Sequence, residues 1–325
     1  MSRVRLSMAA LAAVSVVLAC SRAADTPRDD EVLVTYNAGS LARPLRAALD
    51  SFAAREKVRV EQESAGSLET ARKLTELGKI PDIIALADHE IFPQLLMPRH
   101  ASWYALFARN RMVVAYTDKS RYAAEMDTAR WWRVLTRPDV QVGRADPSRD
   151  PNGYRTLLVL ELAERFYGQP GLAARLLANA PERNVRPKEA DLVGLLEAGE
   201  MDYIWSYESM AQAADLKYVH LPAAIDLSSP AESTAYRVAR VRVPGSSPMD
   251  TITIVGAPIV YAMSIPAGAP HPDVAARFAR WLLSTDGIRV LRSARLDALD
   301  RPVIIGTPPA ELAALGTPAS KAEAP

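Results

Sequence analysis

Two apolar periodicities alternate along the chain. Short β-like runs, apolar or alternating, lie at residues 32–36, 58–62, 82–87, 112–116, 140–143, 203–207 and 218–221, each read as a strand. Between them, apolar positions recur every three to four residues. Leu45, Ala48, Leu49, Phe52 and Ala53 mark a helix over 44–57. The same spacing predicts helices over 67–77, closed by Gly78, and over 89–96, 128–135, 154–167, 171–180 and 189–198. Another starts at Ser209, and a last one runs from 272 to 284 and onward. Extended runs dominate 236–265. The fully apolar run at 82–87 suits a strand buried on both faces of a parallel sheet. The fold class is therefore α/β.

Residues 31–306 are too many for one compact core, so two lobes are expected. The first takes 31–112 plus 260–306 and the second 113–259. The chain would cross between them near Met112 and again near Ile259-Val260-Tyr261, giving a two-crossing hinge with a cleft between the lobes. Strand C-terminal ends would face that cleft, where open α/β sheets hold ligands.

Candidate chemistry gathers at strand-to-helix turns. The tetrapeptide Ala-Gly-Ser-Leu occurs twice, at 38–41 and 65–68, each time after a strand-like run and before a helix. Such turns present unpaired N–H groups and a hydroxyl at one point, which suits an anion. The plainer reading is that Ser40 and Ser67 cap helices. Pro44 fits a helix start at 43–44, which would make the first turn looser than the second. Asp150-Pro151-Asn152-Gly153-Tyr154-Arg155 is a tight turn opening a helix, with Asp150 at its N-terminus and the Gly153 and Tyr154 N–H groups on offer. Glu189 opens another helix, either as a solvated first-turn acid or as a site residue. Tyr207 ends an apolar strand and belongs either to the core or to the cleft. The four histidines share no metal-ligand spacing, and there is no Gly-x-Ser-x-Gly elbow or phosphate-binding Walker loop.

The termini suggest a location. Arg3 and Arg5 precede an apolar run from Met8 to Ala19, too short for a mature membrane span, that ends in Leu18-Ala19-Cys20. This reads as a lipoprotein signal over 1–19, with Cys20, the sole cysteine, as the lipidation site and 20–30 as a flexible tether. The Ala- and Pro-rich segment 307–325 is expected to be a disordered tail. Removing residues 1–19 takes away two arginines and no acid, leaving 37 basic against 38 acidic residues. That balance, with no basic cluster, argues against a nucleic-acid partner.

Taken in order, the motifs resemble the tungstate/molybdate-binding proteins of ABC importers, in the branch typified by archaeal tungstate-binding lipoproteins. The resemblance runs from about Val32 to Val303. It rests on Ala-Gly-Ser-Leu at 38–41, Ala-Gly-Ser at 65–67 and Pro-Asp-Ile-Ile-Ala-Leu-Ala-Asp at 81–88. It continues through Asp-Pro-x-Gly-Tyr-Arg at 150–155, Gly-Glu-Met-Asp-Tyr at 199–203, Leu-Pro-x-x-Ile-Asp-Leu-Ser at 221–228 and Pro-Ile-Val-Tyr at 258–261. It implies a type II periplasmic binding fold that holds an oxyanion between its lobes. It also implies that two carboxylates expand the metal of that oxyanion from four- to six-coordinate, and it places those ligands at Asp150 and Glu189. Gly39, Ser40, Ser67, Asp150, Pro151, Asn152 and Tyr207 match its oxyanion-binding positions. Relatives often carry Cys at Asn152, where a backbone N–H would serve equally, and the stretch between Asn179 and Glu189 is shorter than in archaeal relatives.

The implied protein is a monomeric, cofactor-free, non-catalytic lipoprotein on the outer side of a cell membrane. It would deliver tungstate or molybdate to an ABC transporter permease. Carboxylates beside a dianion make physical sense when they bond to its hard, high-valent metal, and they would disfavour sulfate and phosphate, which cannot readily accept two more oxygens. Two alternatives stay open: a binder of sulfate, phosphate or iron(III) on the same fold, and a secreted hydrolase using a Ser-Gly turn as its oxyanion hole.

Overall fold

In the computed structural model, which describes residues 31–244, 251–314 and 317–318, the alternating pattern resolves into two large sheets and a two-stranded one. Strands β1 (Val32–Ala38), β2 (Arg59–Ala65), β3 (Ile83–Leu86) and β4 (Trp103–Arg109) begin the first. Strands β5 (Met112–Tyr116), β6 (Val142–Ala145), β7 (Val185–Arg186), β8 (Tyr203–Tyr207) and β9 (Lys217–His220) form the second. β10 (Arg240–Pro244) and β11 (Thr251–Val255) pair antiparallel with each other. The chain then returns to the first sheet with β12 (Val260–Ser264), β13 (Asp297–Gly306) and β14 (Thr317–Pro318). The strand orders are β14-β13-β4-β12-β3-β1-β2 and β7-β6-β8-β5-β9. β1 runs parallel to β2 and β3, while β12 lies antiparallel between β3 and β4.

The first sheet is joined by helices α1 (Ala42–Glu56) and α2 (Ser67–Thr75). The second carries α3 (Trp131–Leu135), α4 (Pro151–Phe166), α5 (Leu172–Ala178), α6 (Ala190–Glu197) and α7 (Glu208–Ala213). A helical turn, α8 (Ser233–Tyr236), precedes β10, and α9 (Pro272–Leu282), α10 (Thr285–Ser293) and α11 (Ala310–Ala313) follow β12. The apolar stripe of α1 is buried as its spacing requires, and Phe52 meets Phe278 of α9 edge-on at 5.2 Å. β5 is buried on both faces: Met112 and Val114 join the main core, while Val113 and Ala115 pack with Leu192, Leu196 and Ile204. No helix among the described residues is long and apolar enough to cross a membrane.

The two crossings between sheets lie side by side. The Asn110 amide donates to the Ile259 carbonyl at 3.3 Å, and the Ile259 amide donates to the Leu227 carbonyl at 2.8 Å.

The structure differs from the sequence expectations in places. β4 and β13 were not predicted. The long helix starts at Pro151 rather than 154, because Asp150 caps it. The helix expected over 128–135 occupies only Trp131–Leu135, and 89–96 is reduced to a π-helical turn at Phe92–Leu96. The tail expected to be disordered from 307 is folded at its start, where Ala310–Ala313 form a helical turn and Leu312 is fully buried against the core. One apolar side chain at the right position is enough to hold that turn. The signal segment 1–19, the tether 20–30, Cys20 and the last seven residues, 319–325, lie outside the described residues.

Candidate functional site

Pairing between β1 and β2 sets Ala38 directly opposite Ala65, so the two Ala-Gly-Ser turns lie side by side at the same end of adjacent parallel strands. Asn37 braces them, its Nδ2 donating to Ser64 Oγ at 2.9 Å and to the Ala38 carbonyl at 2.7 Å. The first turn is not loose. Gly39–Leu41 form one 3-10 turn that runs directly into α1, with Pro44 already inside the helix.

Neither serine caps its helix. Ser67 Oγ accepts from the Ala87 amide at 3.0 Å, and Ser40 Oγ accepts from the Tyr261 hydroxyl at 3.1 Å. Tyr261 in turn accepts from Asn110 Nδ2 at 2.8 Å. Each serine hydroxyl therefore spends a lone pair on the protein and keeps its proton to donate. Among the described residues, neither hydroxyl hydrogen-bonds to a histidine.

Asp150 is the N-cap of α4: Oδ1 accepts from the Asn152 amide at 2.9 Å, while Oδ2 accepts from the Glu189 amide at 3.0 Å. The Asn152 N–H expected to bind ligand is thus consumed by the cap, and the Gly153 N–H bonds the Asp150 carbonyl at 2.9 Å. The side-chain amide of Asn152 is buried and has no partner among the described residues. Pro151 is buried at the first position of the same helix, where its missing N–H costs nothing.

Glu189 is no solvated acid. It is 1% exposed, and its Oε1 accepts from Ser206 Oγ at 2.7 Å and from the Tyr207 amide at 2.6 Å. Its Oε2 is buried with no partner. Burial, reinforced by the charge of Asp150, pushes the Glu189 carboxyl up to about 8, although Ser206 and Tyr207 pull the other way. Burial likewise pushes Asp150 up to about 6 against its two amide hydrogen bonds. Tyr207 is buried too; its hydroxyl accepts from Arg155 Nη1 at 2.8 Å and, like the two serines, keeps a proton to donate.

The two lobes meet here. Gly66 lies so close to the Arg149–Asp150 backbone that a Cβ would sit 2.1 Å from the Arg149 carbonyl oxygen. A Cβ on Gly39 would fall 3.9 Å from Lys188 Cβ, next to Glu189. Arg155 Nη1 reaches across to the Ala87 carbonyl at 2.7 Å and its Nη2 lies 3.5 Å from Asp88, which also accepts from the Tyr154 hydroxyl. All eight residues selected from the sequence, Gly39, Ser40, Ser67, Asp150, Pro151, Asn152, Glu189 and Tyr207, are buried, and they flank this one interface between lobes. The result is a set of proton donors facing a pair of carboxylates.

Arg155, Tyr261, Asn110, Asp88 and Ser206 were not selected from the sequence. Three of them lie inside the quoted motifs: Asp88 ends 81–88, Arg155 ends 150–155 and Tyr261 ends 258–261. The motif positions were a usable signal for these three. Asn110 and Ser206 had none, since their roles come from partners distant in sequence, 99 and 151 residues away for Asn110 and 17 for Ser206.

Two α/β lobes that close on a buried polar site define a bilobal solute-binding protein. The family model described as "Bacterial extracellular solute-binding protein" matches residues 33–294, and the chain belongs to that family. It is 36% identical to the molybdate/tungstate-binding protein WtpA of Pyrococcus abyssi over 96% of this chain and 98% of that one. It is 34% identical to WtpA of Thermococcus kodakarensis, over 91% and 90%. A solute-binding protein of Petrotoga mobilis is 40% identical, over 83% and 84%. Among solved structures, the sulfate-binding protein SubI of Mycobacterium tuberculosis superposes with a TM-score of 0.61 at 15% identity, covering 89% of this chain and 92% of that one. The periplasmic molybdate-binding protein of Azotobacter vinelandii gives 0.60 at 15% identity, covering 81% and 98%. These likenesses bear out the periplasmic binding fold and the family resemblance read from the motifs.

Proposed function

We propose that this chain captures tungstate or molybdate between its lobes and delivers it to an ABC transporter permease. Buried carboxylates at Asp150 and Glu189, with the Glu189 Oε2 left without a partner, carry this reading. A carboxylate oxygen is a poor neighbour for an anion and a good ligand for the hard metal centre inside one. The hydroxyls of Ser40, Ser67 and Tyr207 would donate to the oxo groups, and the Asn152 side-chain amide, rather than its backbone, would supply a further donor. The relatives named molybdate/tungstate-binding proteins support the same ligand. Nothing in the geometry favours a hydrolase, because the hydroxyls of Ser40 and Ser67 are engaged by Tyr261 and the Ala87 amide rather than by a base.

Lipid anchoring through Cys20 belongs to the same proposal and is checked by mass spectrometry of the processed N-terminus; an unmodified chain starting beyond residue 20 would contradict it. Calorimetric titration with tungstate, molybdate, sulfate and phosphate tests the ligand. One site per chain is expected for tungstate or molybdate. Heat from sulfate alone would overturn the assignment in favour of another anion binder on this fold.

A further inference from the structure

Away from the buried site, a cavity of about 620 Å³ opens where the chain crosses between the lobes. Its wall carries four arginines, Arg109, Arg111, Arg292 and Arg295, against two acids, Glu208 and Asp297. Two of the arginines are already engaged: Arg111 Nε lies 3.0 Å from Glu208, and Arg292 bonds Asp300 at 2.7 Å and the Ala298 carbonyl. Arg109 and Arg295 are exposed, and among the described residues neither side chain makes a hydrogen bond or an ion pair. Arg295 follows α10 in the left-handed region, at φ 68°, where glycine is the usual residue. Arg109, Arg292 and Arg295 come from the first lobe, Arg111 lies in the crossing between β4 and β5, and Glu208, Ser209 and Gln212 come from the second lobe.

We propose that this cavity is a second anion site, for a small molecule bearing two or more carboxylate or phosphate groups, and that filling it favours the closed lobes. Guanidinium groups bind such groups through paired N–H donors, and the volume suits a compact ligand. One multivalent anion would neutralise the uncompensated cations and bridge walls that belong to different lobes. A hydrogen-bonded path joins the cavity to the buried site. Asn110 and Ser209 line the cavity, and Asn110 Nδ2 donates to Ser209 Oγ at 2.7 Å and to the Tyr261 hydroxyl, which donates to Ser40. Both Nδ2 protons of Asn110 are thereby placed, so an anion enters this path at Ser209, whose hydroxyl accepts from Asn110 and keeps a proton to donate into the cavity, and through it biases the hydrogen-bond chain that ends at Ser40. This coupling, unlike the binding itself, rests on the function proposed above.

The test is calorimetry with sodium pyrophosphate and with sodium citrate at constant ionic strength, on the intact protein and on an Arg109→Ala/Arg295→Ala variant. Both arginines are exposed, so unchanged thermal unfolding is the control for folding. Saturable binding of at least one anion, weakened at least about tenfold in the variant, is expected. The phosphate and carboxylate arms tell the two ligand chemistries apart. No binding of either anion, or equal binding by the variant, overturns the site. Tungstate affinity is then measured with and without the anion that binds, and an increase of about threefold or more is expected, with the reciprocal effect on that anion. Unchanged tungstate affinity overturns the coupling. Failure of both tungstate and molybdate to bind overturns the proposed function and leaves the result of the first measurement standing.

Discussion

Replacing Glu189 by glutamine puts an amide in place of a carboxyl group whose one oxygen is held by Ser206 and Tyr207 and whose other oxygen has no partner among the described residues. Amides are poor donors to a high-valent metal, so Glu189→Gln and Asp150→Asn should each weaken tungstate binding at least tenfold, about 1.4 kcal/mol. Sulfate, repelled by the carboxylates before, should bind no worse. X-ray absorption at the tungsten edge checks the coordination directly: a purely tetrahedral signal would exclude carboxylate ligation. The raised pKa values have a second consequence. Between 4.5, the ordinary glutamate value, and about 8, the folded ligand-free protein holds a proton at Glu189 that the unfolded chain has lost. Stability therefore falls as pH rises through that window, by roughly a kcal/mol per pH unit at most for one group, and levels off above it. Asp150 acts with the same sign between 3.8 and about 6. Thermal denaturation of the ligand-free protein should show unfolding temperature declining from pH 6 to pH 8, with a shallower decline in Glu189→Gln. Ser40, Ser67 and Asp150 stood out in the sequence because they occupy turns between strands and helices, whereas Asn152, Glu189 and Tyr207 were singled out through the resemblance. What was not legible was the allocation of protons. Asn152 was expected to offer its backbone N–H, and only the Asp150 cap shows that this group is taken.

The paired turns depend on an element-level match: parallel β1 and β2 in a register that aligns Ala38 with Ala65. Gly66 is required there for approach rather than for torsion, since its φ of −62° is open to any residue. A Cβ would press on the Arg149 carbonyl, and carbonyl backbone cannot yield as a side-chain tip can. Gly66→Ala should therefore keep the lobes from closing fully, lowering tungstate affinity by about tenfold or more. The unfolding temperature of the free protein should change little, because opening relieves the clash. An equal loss of stability with and without ligand would argue against this account. Periodicity found the strands whose runs were bounded by turn residues. It passed over β4, although Trp103 to Ala108 is a continuous apolar run of the same kind as the one read as a strand at 82–87. It passed over β13 for a physical reason: the ladder with β4 breaks between Ala298 and Val303, and charged Asp300 and Arg301 with Pro302 interrupt the pattern.

Across the whole molecule, the inter-lobe bonds of Arg155 with Ala87 and Asp88 join a first-sheet loop to a second-sheet helix. Such pairs are formed only when the lobes are shut, so ligand binding should appear as hinge closure. Small-angle scattering should record a smaller radius of gyration with tungstate than without it; identical profiles would indicate that the lobes stay closed throughout. The central place of β12, between β3 and β4, bears on how the chain is made. β3 and β4 have no direct pairing with each other and wait for a strand that begins at Val260. The second sheet, by contrast, is complete from one continuous stretch, Met112 to His220. During synthesis the second lobe can assemble while the first remains an unfinished sheet, held back by the long loop that must close before β12 arrives. A nascent chain of this design therefore carries a finished lobe beside an unfinished one until nearly all of it has been made, and the unpaired edges of β3 and β4 stay open to other chains for that time.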